Sequence, residues 1–140
     1  MDQKLNFAGI AAAVAGVVGL LGVYADWWET ADAVYKGTAD ASGSLALAMS
    51  LGLFVFGAAS VLMSDARIRR AMNVLFTICA FVLALASLWG TTRADSVAPG
   101  AESSNGIWIS ALAGAIGIAA GVLAMRDVRA PENTAGDGSS

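Results

Sequence analysis

Apolar residues in this chain form long blocks that polar residues interrupt only briefly. Four stretches contain no Asp, Glu, Lys or Arg, and they lie at residues 5–25, 41–64, 71–92 and 103–125. Each has at least 21 residues, and a helix that rises ~1.5 Å per residue needs about 20 residues to cross a hydrocarbon core ~30 Å thick. The pattern predicts an all-α fold, a bundle of four antiparallel transmembrane helices.

The predicted spans form one membrane domain, residues 1–129, and occupy about residues 5–25, 43–64, 71–91 and 105–125. Polar residues that favour helix N-caps precede the later spans, namely Ser42 and Ser44, then Ser64 and Asp65, then Ser103, Ser104 and Asn105. Proline, glycine and serine are frequent in residues 130–140, which predicts a disordered cytoplasmic tail.

The positive charges predict the orientation, because Lys and Arg of short loops favour the cytoplasmic side. An even number of spans places both termini on one side. Six basic residues would share that side: Lys4, Arg67, Arg69, Arg70, Arg126 and Arg129. Only Lys36 and Arg93 would lie on the other side. The sequence therefore predicts a multi-pass protein of the cell membrane with both termini in the cytoplasm.

The short turn between the second and third spans carries three of these cations, Arg67, Arg69 and Arg70. In the predicted orientation they face the cytoplasmic headgroup layer. A basic residue near an anionic membrane surface contributes about 1 kcal/mol to binding. We expect all three to contact lipid headgroups.

The large polar aromatics are predicted to lie together at the outer interface. They are Tyr24, Trp27, Trp28, Tyr35, Trp89 and Trp108. One interpretation is anchoring, because amphipathic rings favour the headgroup layer. The other is that Trp27 and Trp28 form part of a partner-binding surface, since Trp is enriched at interface hot spots.

Small residues at a spacing of three or four mark the helix faces that are expected to pack closely. In lipid, helices associate through close approach and hydrogen bonds, so these faces matter more than apolar area does. The first and fourth spans carry them, at Gly9, Ala12, Gly16, Gly114, Gly117 and Gly121. We expect these two spans to make the tightest contacts, within the bundle or with a neighbour, and the second span to face lipid or to pack bulky side chains.

The two outer loops contain a similar pattern displaced by 63 residues, residues 31–37 against residues 94–100. A duplicated helical hairpin and coincidence in a biased composition both explain it. The first loop is the longer, and its residues 34–38 fit either a short β-hairpin or an irregular loop that follows the membrane surface.

Candidate chemistry is sparse. The spans contain no Asp, Glu, Lys or Arg, Cys79 is the only cysteine, and the chain has no histidine. We expect the polar residues inside the spans to hydrogen-bond within the bundle; these are Ser50, Ser60, Asn73, Thr77 and Ser87. No catalytic residue, cofactor site or metal site is predicted.

The carboxylates lie outside the spans. Asp26, Glu29 and Asp32 would bind a divalent cation weakly at best, and we interpret them as a solvated loop. The excess of 11 acidic over 8 basic residues argues against nucleic acid as a partner, because neutralising phosphates needs clustered Lys and Arg.

The layout resembles claudin-like four-span membrane proteins. Shared features are the cytoplasmic ends, the longer first outer loop that begins with aromatics, the tight cytoplasmic turn and the glycine-rich first and fourth spans. The claudin pattern has two cysteines in that loop, and residues 26–29 have none beside them. This departure argues against a disulfide-held outer sheet and a junction-forming role. Residues 22–28 and 37–43 also resemble small bacterial membrane proteins, which implies a bacterial inner membrane but no particular activity.

Two functions remain open from the sequence. The preferred hypothesis is a non-enzymatic accessory subunit that docks on a larger membrane complex, such as a transporter or a respiratory assembly, and stabilises it. The alternative is a small pore or transporter that assembles from copies of itself. The lipid bilayer is the one partner that both hypotheses share.

Overall fold

The computed structural model describes residues 6–138, and the side chains of these residues as far as Arg126. In chain order the elements are α1 (Phe7–Tyr24), β1 (Asp26–Glu29), β2 (Val34–Lys36), a 3₁₀ turn (Gly37–Ala39), α2 (Ala41–Leu62), α3 (Ala66–Thr91), the short helix α4 (Ala94–Val97), β3 (Glu102–Ser103) and α5 (Asn105–Gly138). The tail predicted at residues 130–140 lies outside the residues whose side chains are described, and it stays a prediction.

Four helices, α1, α2, α3 and α5, are long and apolar enough to cross a membrane. The coarse prediction of a mostly helical bundle with four apolar spans is therefore confirmed. Both α1 and α3 pack against both α2 and α5, so the four helices form a closed ring. Large apolar side chains fill the middle of this ring, and Val23, Leu53, Phe76, Leu83 and Ile107 are all fully buried.

Acidic and amide side chains cap the first three long helices. Asn6 accepts from the amide of Gly9, Asp40 from that of Ser42 and Asp65 from that of Arg67. Asp65 is one of the predicted caps. For α2 the cap is Asp40, because the helix begins before Ser42 and leaves that serine inside the first turn.

The small residues of α1 face α2. A Cβ atom built on Gly16 would lie 2.5 Å from the backbone nitrogen of Phe54, and one on Gly9 would lie 3.0 Å from the carbonyl oxygen of Gly57. Ala12, between them, is fully buried. Only hydrogen fits between these two backbones, so any larger group would push the helices apart.

The small residues of α5 face α3 in the same manner. A Cβ atom on Gly114 would lie 2.8 Å from the nitrogen of Ala84, one on Gly117 would lie 2.6 Å from Cβ of Ala80, and Gly121 lies against Thr77. These glycines of α1 and α5 thus contact the middle helices. The helices α1 and α5 also pack closely on each other, because a Cβ atom on Gly22 would lie 2.9 Å from the backbone nitrogen of Ser110. As expected, α2 buries the smallest share of its apolar window, 28 %, against 39 % for α3 and 44 % for α1 and α5.

The outer loops form a three-stranded sheet in the order β2-β1-β3, and both pairs are antiparallel. Of the two interpretations of the first loop, the hairpin is the correct one. The second loop adds β3, with Trp28 opposite Ser103 and Glu29 opposite Glu102. Although the chain lacks the cysteines for a disulfide-held sheet, these two loops do form a sheet. We call this end of the bundle the sheet end, and the end with the link between α2 and α3 the turn end.

The repeated sequence pattern corresponds to two different local structures. Residues 31–37 form a turn and the strand β2, whereas residues 94–100 begin with the helix α4. Gly43 and Gly106 are displaced by the same 63 residues. Each lies in the first turn of a long helix, Gly43 in α2 and Gly106 in α5, and each is buried against backbone atoms of another segment.

Candidate functional site

Two adjacent tryptophans of β1 form the centre of the sheet end. Trp27 and Trp28 are both 0 % exposed, and their rings meet edge to face with centroids 5.3 Å apart. Trp27 donates its indole N–H to the carbonyl of Gly22 at 2.8 Å, and Trp28 donates to the carbonyl of Gly90 at 2.9 Å. These carbonyls belong to the last turns of α1 and α3, and each also accepts a backbone amide, that of Ala25 at 3.2 Å and that of Arg93 at 3.1 Å.

Three glycines from distant segments make room for the Trp27 ring. A Cβ atom would lie 2.9 Å from the ring at Gly37, 2.7 Å at Gly90 and 2.7 Å at Gly106. The backbone of Trp27 is also held, because its carbonyl accepts the amide of Ser104 at 2.7 Å. We call this arrangement the tryptophan socket. It fixes the sheet to three of the four long helices.

This burial differs from the expectation that Trp27 and Trp28 would offer a binding surface. Their exposed neighbours are other aromatics of the predicted set: Tyr24 is 54 % exposed, Trp89 is 43 % and Trp108 is 55 %. Tyr35, in β2, is half-buried. The exposed aromatics at this end are therefore accessible for contact with another molecule, while Trp27 and Trp28 pack inside the protein.

An ion pair joins the two outer loops beside the socket. Arg93 donates to both carboxylate oxygens of Asp40, at 3.0 and 3.2 Å, and its guanidinium lies 5.6 Å from the ring centroid of Trp89. The hydrogen bond from Arg93 is the main reason that the pKa of Asp40 falls from 3.8 to about 2, and bonds from Ser42 lower it further. The same pairing raises the pKa of Arg93.

The other carboxylates of the first outer loop stay apart. Glu29 and Asp32 are exposed, and Asp26 lies opposite Lys36 at the far end of the hairpin. Lys36 donates to the carbonyl of Tyr24 at 2.8 Å. Within the described part of the chain, no three His, Cys, Asp or Glu side chains are placed to hold a metal ion.

At the turn end, hydrogen bonds join three helices. Asn6 donates to the hydroxyl of Ser60 at 2.9 Å, and that hydroxyl donates to the side-chain oxygen of Asn73 at 2.6 Å. Thr77 in turn donates to the carbonyl of Asn73 at 2.6 Å. The expectation of internal hydrogen bonds is thus confirmed for Ser60, Asn73 and Thr77.

Two further serines complete the predicted polar set. Ser87 donates to the carbonyl of Leu83 in its own helix at 2.9 Å. Ser50 behaves differently, because it is fully buried and its hydroxyl has no partner. A Cβ atom on Gly19 would lie against this hydroxyl, so the glycine leaves space for it between α1 and α2.

The turn end also carries the exposed arginines Arg67, Arg69 and Arg70. Arg69 donates to the carbonyl of Met63 at 3.0 and 3.2 Å and to that of Ser64 at 3.4 Å. Arg67 and Arg70 line a shallow groove of about 380 Å³ along the start of α3.

These features define the class of the molecule, a protein with four helices able to span a membrane and a small sheet fixed to one end of them. No protein-family model, curated protein or solved structure matches the chain. The geometry of the two ends is therefore the basis on which a function can be argued.

Proposed function

We propose that this protein is a non-enzymatic accessory subunit of a larger membrane complex, such as a transporter or a respiratory assembly, and that it docks through its sheet end. The observation that carries the proposal is the tryptophan socket. A sheet that is fixed to the bundle before contact loses little freedom on binding, and such preorganisation favours affinity.

The surface around the socket has the composition of a contact site. Val34 is 57 % exposed on β2, and Tyr24 and Trp108 are more than half exposed on α1 and α5. Aromatic side chains with free faces are the commonest anchors of protein interfaces. The exposed carboxylates of Glu29 and Asp32 would give this surface a polar rim.

The filled interior supports docking over transport through a single copy. Leu53, Phe76 and Leu83 occupy the middle of the ring of helices, and the buried pair Trp27 and Trp28 closes the sheet end. The alternative function, a pore, would therefore have to form between copies.

We also propose that the helices alternate in direction across the membrane and that both termini lie in the cytoplasm. Alternation is supported by contacts between α1 and α2, in which Gly9 approaches Val61 while Gly19 approaches Ser50. The orientation is supported by Arg67, Arg69, Arg70 and Arg126 at the turn end.

Crosslinking in native membranes tests the docking proposal. A photo-reactive amino acid replaces Val34 or Trp108 at the sheet end, and Phe81, which is 55 % exposed in the middle of α3, serves as the control position. We expect both sheet-end positions to crosslink to the same larger membrane protein, which a tag on the C-terminal tail recovers in stoichiometric amount. Crosslinks only between copies of this chain would contradict docking and favour the self-assembled pore.

A variant pair tests the role of the socket. Trp28→Phe removes the hydrogen bond to Gly90 and is expected to reduce recovery of the partner several-fold while the protein still inserts. Phe81→Leu, which changes a lipid-facing ring, should leave recovery unchanged. If Trp28→Phe recovers the partner as well as the parent protein does, the fixed sheet is not what the partner binds.

A further inference from the structure

The three arginines of the turn end have different roles. Arg69 points back to α2 and donates to the carbonyls of Met63 and Ser64. The last carbonyls of a helix lack partners in that helix, and a cation there is favoured by the helix dipole. Arg69 is thus a C-terminal cap of α2, and the donors that were expected to bind a lipid headgroup bond to these two carbonyls instead.

Arg67 and Arg70 lie together on a different face. They are three residues apart on α3, a spacing that places two side chains on the same side of a helix. Together with Ala66, Ala71 and Val74 they line the groove of about 380 Å³. The groove is cationic near the start of α3, at Arg67 and Arg70. It is apolar further along the helix, at Ala71 and Val74, toward the middle of the predicted span.

We propose that this groove is a binding site for an anionic phospholipid. Arg67 and Arg70 hold the headgroup phosphate, and an acyl chain lies along Ala71 and Val74. Guanidinium groups suit this ligand because their planar donors bind phosphate oxygens in pairs. Basic pockets beside transmembrane helices on the cytoplasmic side are known to take such headgroups.

The position of the groove along α3 favours a lipid over a soluble anion. α3 begins at Ala66, so the groove lies where the spanning segment enters the headgroup layer. Other apolar side chains of the turn end, Leu62 at 78 % and Ile68 at 42 % exposure, would be solvated unfavourably in water but fit the membrane interface. A free phosphate ion would leave Val74, itself 43 % exposed, without an apolar neighbour.

Lipid retention in purified protein tests the site. The protein is exchanged into mixed phosphatidylglycerol and phosphatidylcholine, and the lipids that stay bound are identified by native mass spectrometry. Thermal unfolding is followed with each lipid alone. We expect the parent protein to retain phosphatidylglycerol preferentially and to show a higher Tm in it. Arg67→Gln and Arg70→Gln should each reduce this retention at least several-fold.

Two variants at the same end serve as matched controls. Arg69→Gln is expected to lower the Tm in both lipids while phosphatidylglycerol is still retained, because this arginine caps a helix. Arg126→Gln removes an equal charge at the same end of the molecule from an exposed residue that does not line the groove; it should leave both measurements nearly unchanged.

Three results would overturn the proposal. Retention that is unaffected by Arg67→Gln and Arg70→Gln would show that the groove is not the site. An equal loss with Arg126→Gln would show a general charge effect. A Tm increase with inorganic phosphate that matches the increase with phosphatidylglycerol would assign the groove to a soluble anion.

Discussion

Trp27 and Trp28 each donate a hydrogen bond to the C-terminal end of a different helix. Their indole N–H groups pair with Gly22 of α1 and Gly90 of α3, and a buried indole N–H without a partner would cost about 1 to 3 kcal/mol. Neighbouring side chains of a regular strand point to opposite faces. The strand register shifts between Asp26 and Trp28, and such irregularities redirect side chains, which explains how both rings come to be buried.

The sequence alone predicts that the rings of Trp27 and Trp28 are exposed, because charged residues lie next to them. Asp26 and Glu29 flank them directly, and local charge usually indicates exposure. The space for the rings is provided by Gly37, Gly90 and Gly106, which lie up to 79 residues away along the chain. Two of those glycines, Gly90 and Gly106, lie next to the ends of predicted spans, and their positions are a signal that could have indicated the socket.

The ion pair between Asp40 and Arg93 predicts a pH dependence of stability. Because the pKa of Asp40 falls from 3.8 to about 2 on folding, its contribution is complete above pH 4 and is lost as the pH falls from about 4 to about 2. Arg93→Gln should lower the Tm by a few degrees at pH 7 and by much less at pH 2. Thermal unfolding in detergent across this pH range measures the effect.

Arg126→Gln provides the control for that prediction, since it removes a charge from an exposed position at the other end of the molecule. Its Tm difference from the parent protein should be small at both pH values. If the Tm difference caused by Arg93→Gln is the same at pH 7 and pH 2, the pair does not carry the pH dependence.

Among the elements, the close contact between α5 and α3 depends on glycine more than on apolar area. In lipid, the unpacked helix is already in an apolar solvent, so close approach supplies most of the gain. A Cβ atom on Gly114 would meet the backbone of Ala84 and Ala80 at 2.8 and 2.9 Å, and backbone atoms of a helix cannot move aside separately.

Gly114→Ala is therefore expected to destabilise the bundle by about 1 to 3 kcal/mol, the usual cost of overpacking. Equilibrium unfolding in mixed micelles with increasing denaturing detergent measures it. The neighbouring change Ala115→Val adds more volume on the exposed side of α5 and should cost less than about 0.5 kcal/mol. Equal effects of the two variants would contradict the glycine contact.

The helices could be predicted from the sequence, whereas the hairpin of β1 and β2 was only one of two interpretations and the strand β3 was not predicted. Blocks without charge that exceed 20 residues have few alternatives to a membrane span. The apolar segments of the four long helices lie within about five residues of the predicted bounds, although α5 continues beyond its apolar segment. The strands have only four, three and two residues, too few for an alternating pattern. The pairing of Trp28 with Ser103 also joins segments far apart in sequence, and no local signal encodes it.

At the scale of the whole molecule, the two ends differ in charge. In the described part of the chain, Lys36 and Arg93 are the basic residues of the sheet end, and its acidic residues are Asp26, Glu29, Asp32, Asp40, Asp95 and Glu102. The turn end carries Arg67, Arg69, Arg70 and Arg126 against Asp65. Because basic residues are retained on the cytoplasmic side during insertion, this asymmetry favours one orientation over its inverse.

Cysteine labelling in intact cells tests that orientation. In a Cys79→Ala background, Val34→Cys places a thiol on the exposed strand β2, and Ser64→Cys places one in the exposed turn between α2 and α3. A membrane-impermeant maleimide should label the first variant in intact cells and the second only after permeabilisation. The parent protein serves as the control, because Cys79 is buried and should stay unlabelled in both conditions. The reverse order of labelling would show that the arginines of the turn end face outwards, and the lipid groove would then lie in the outer leaflet.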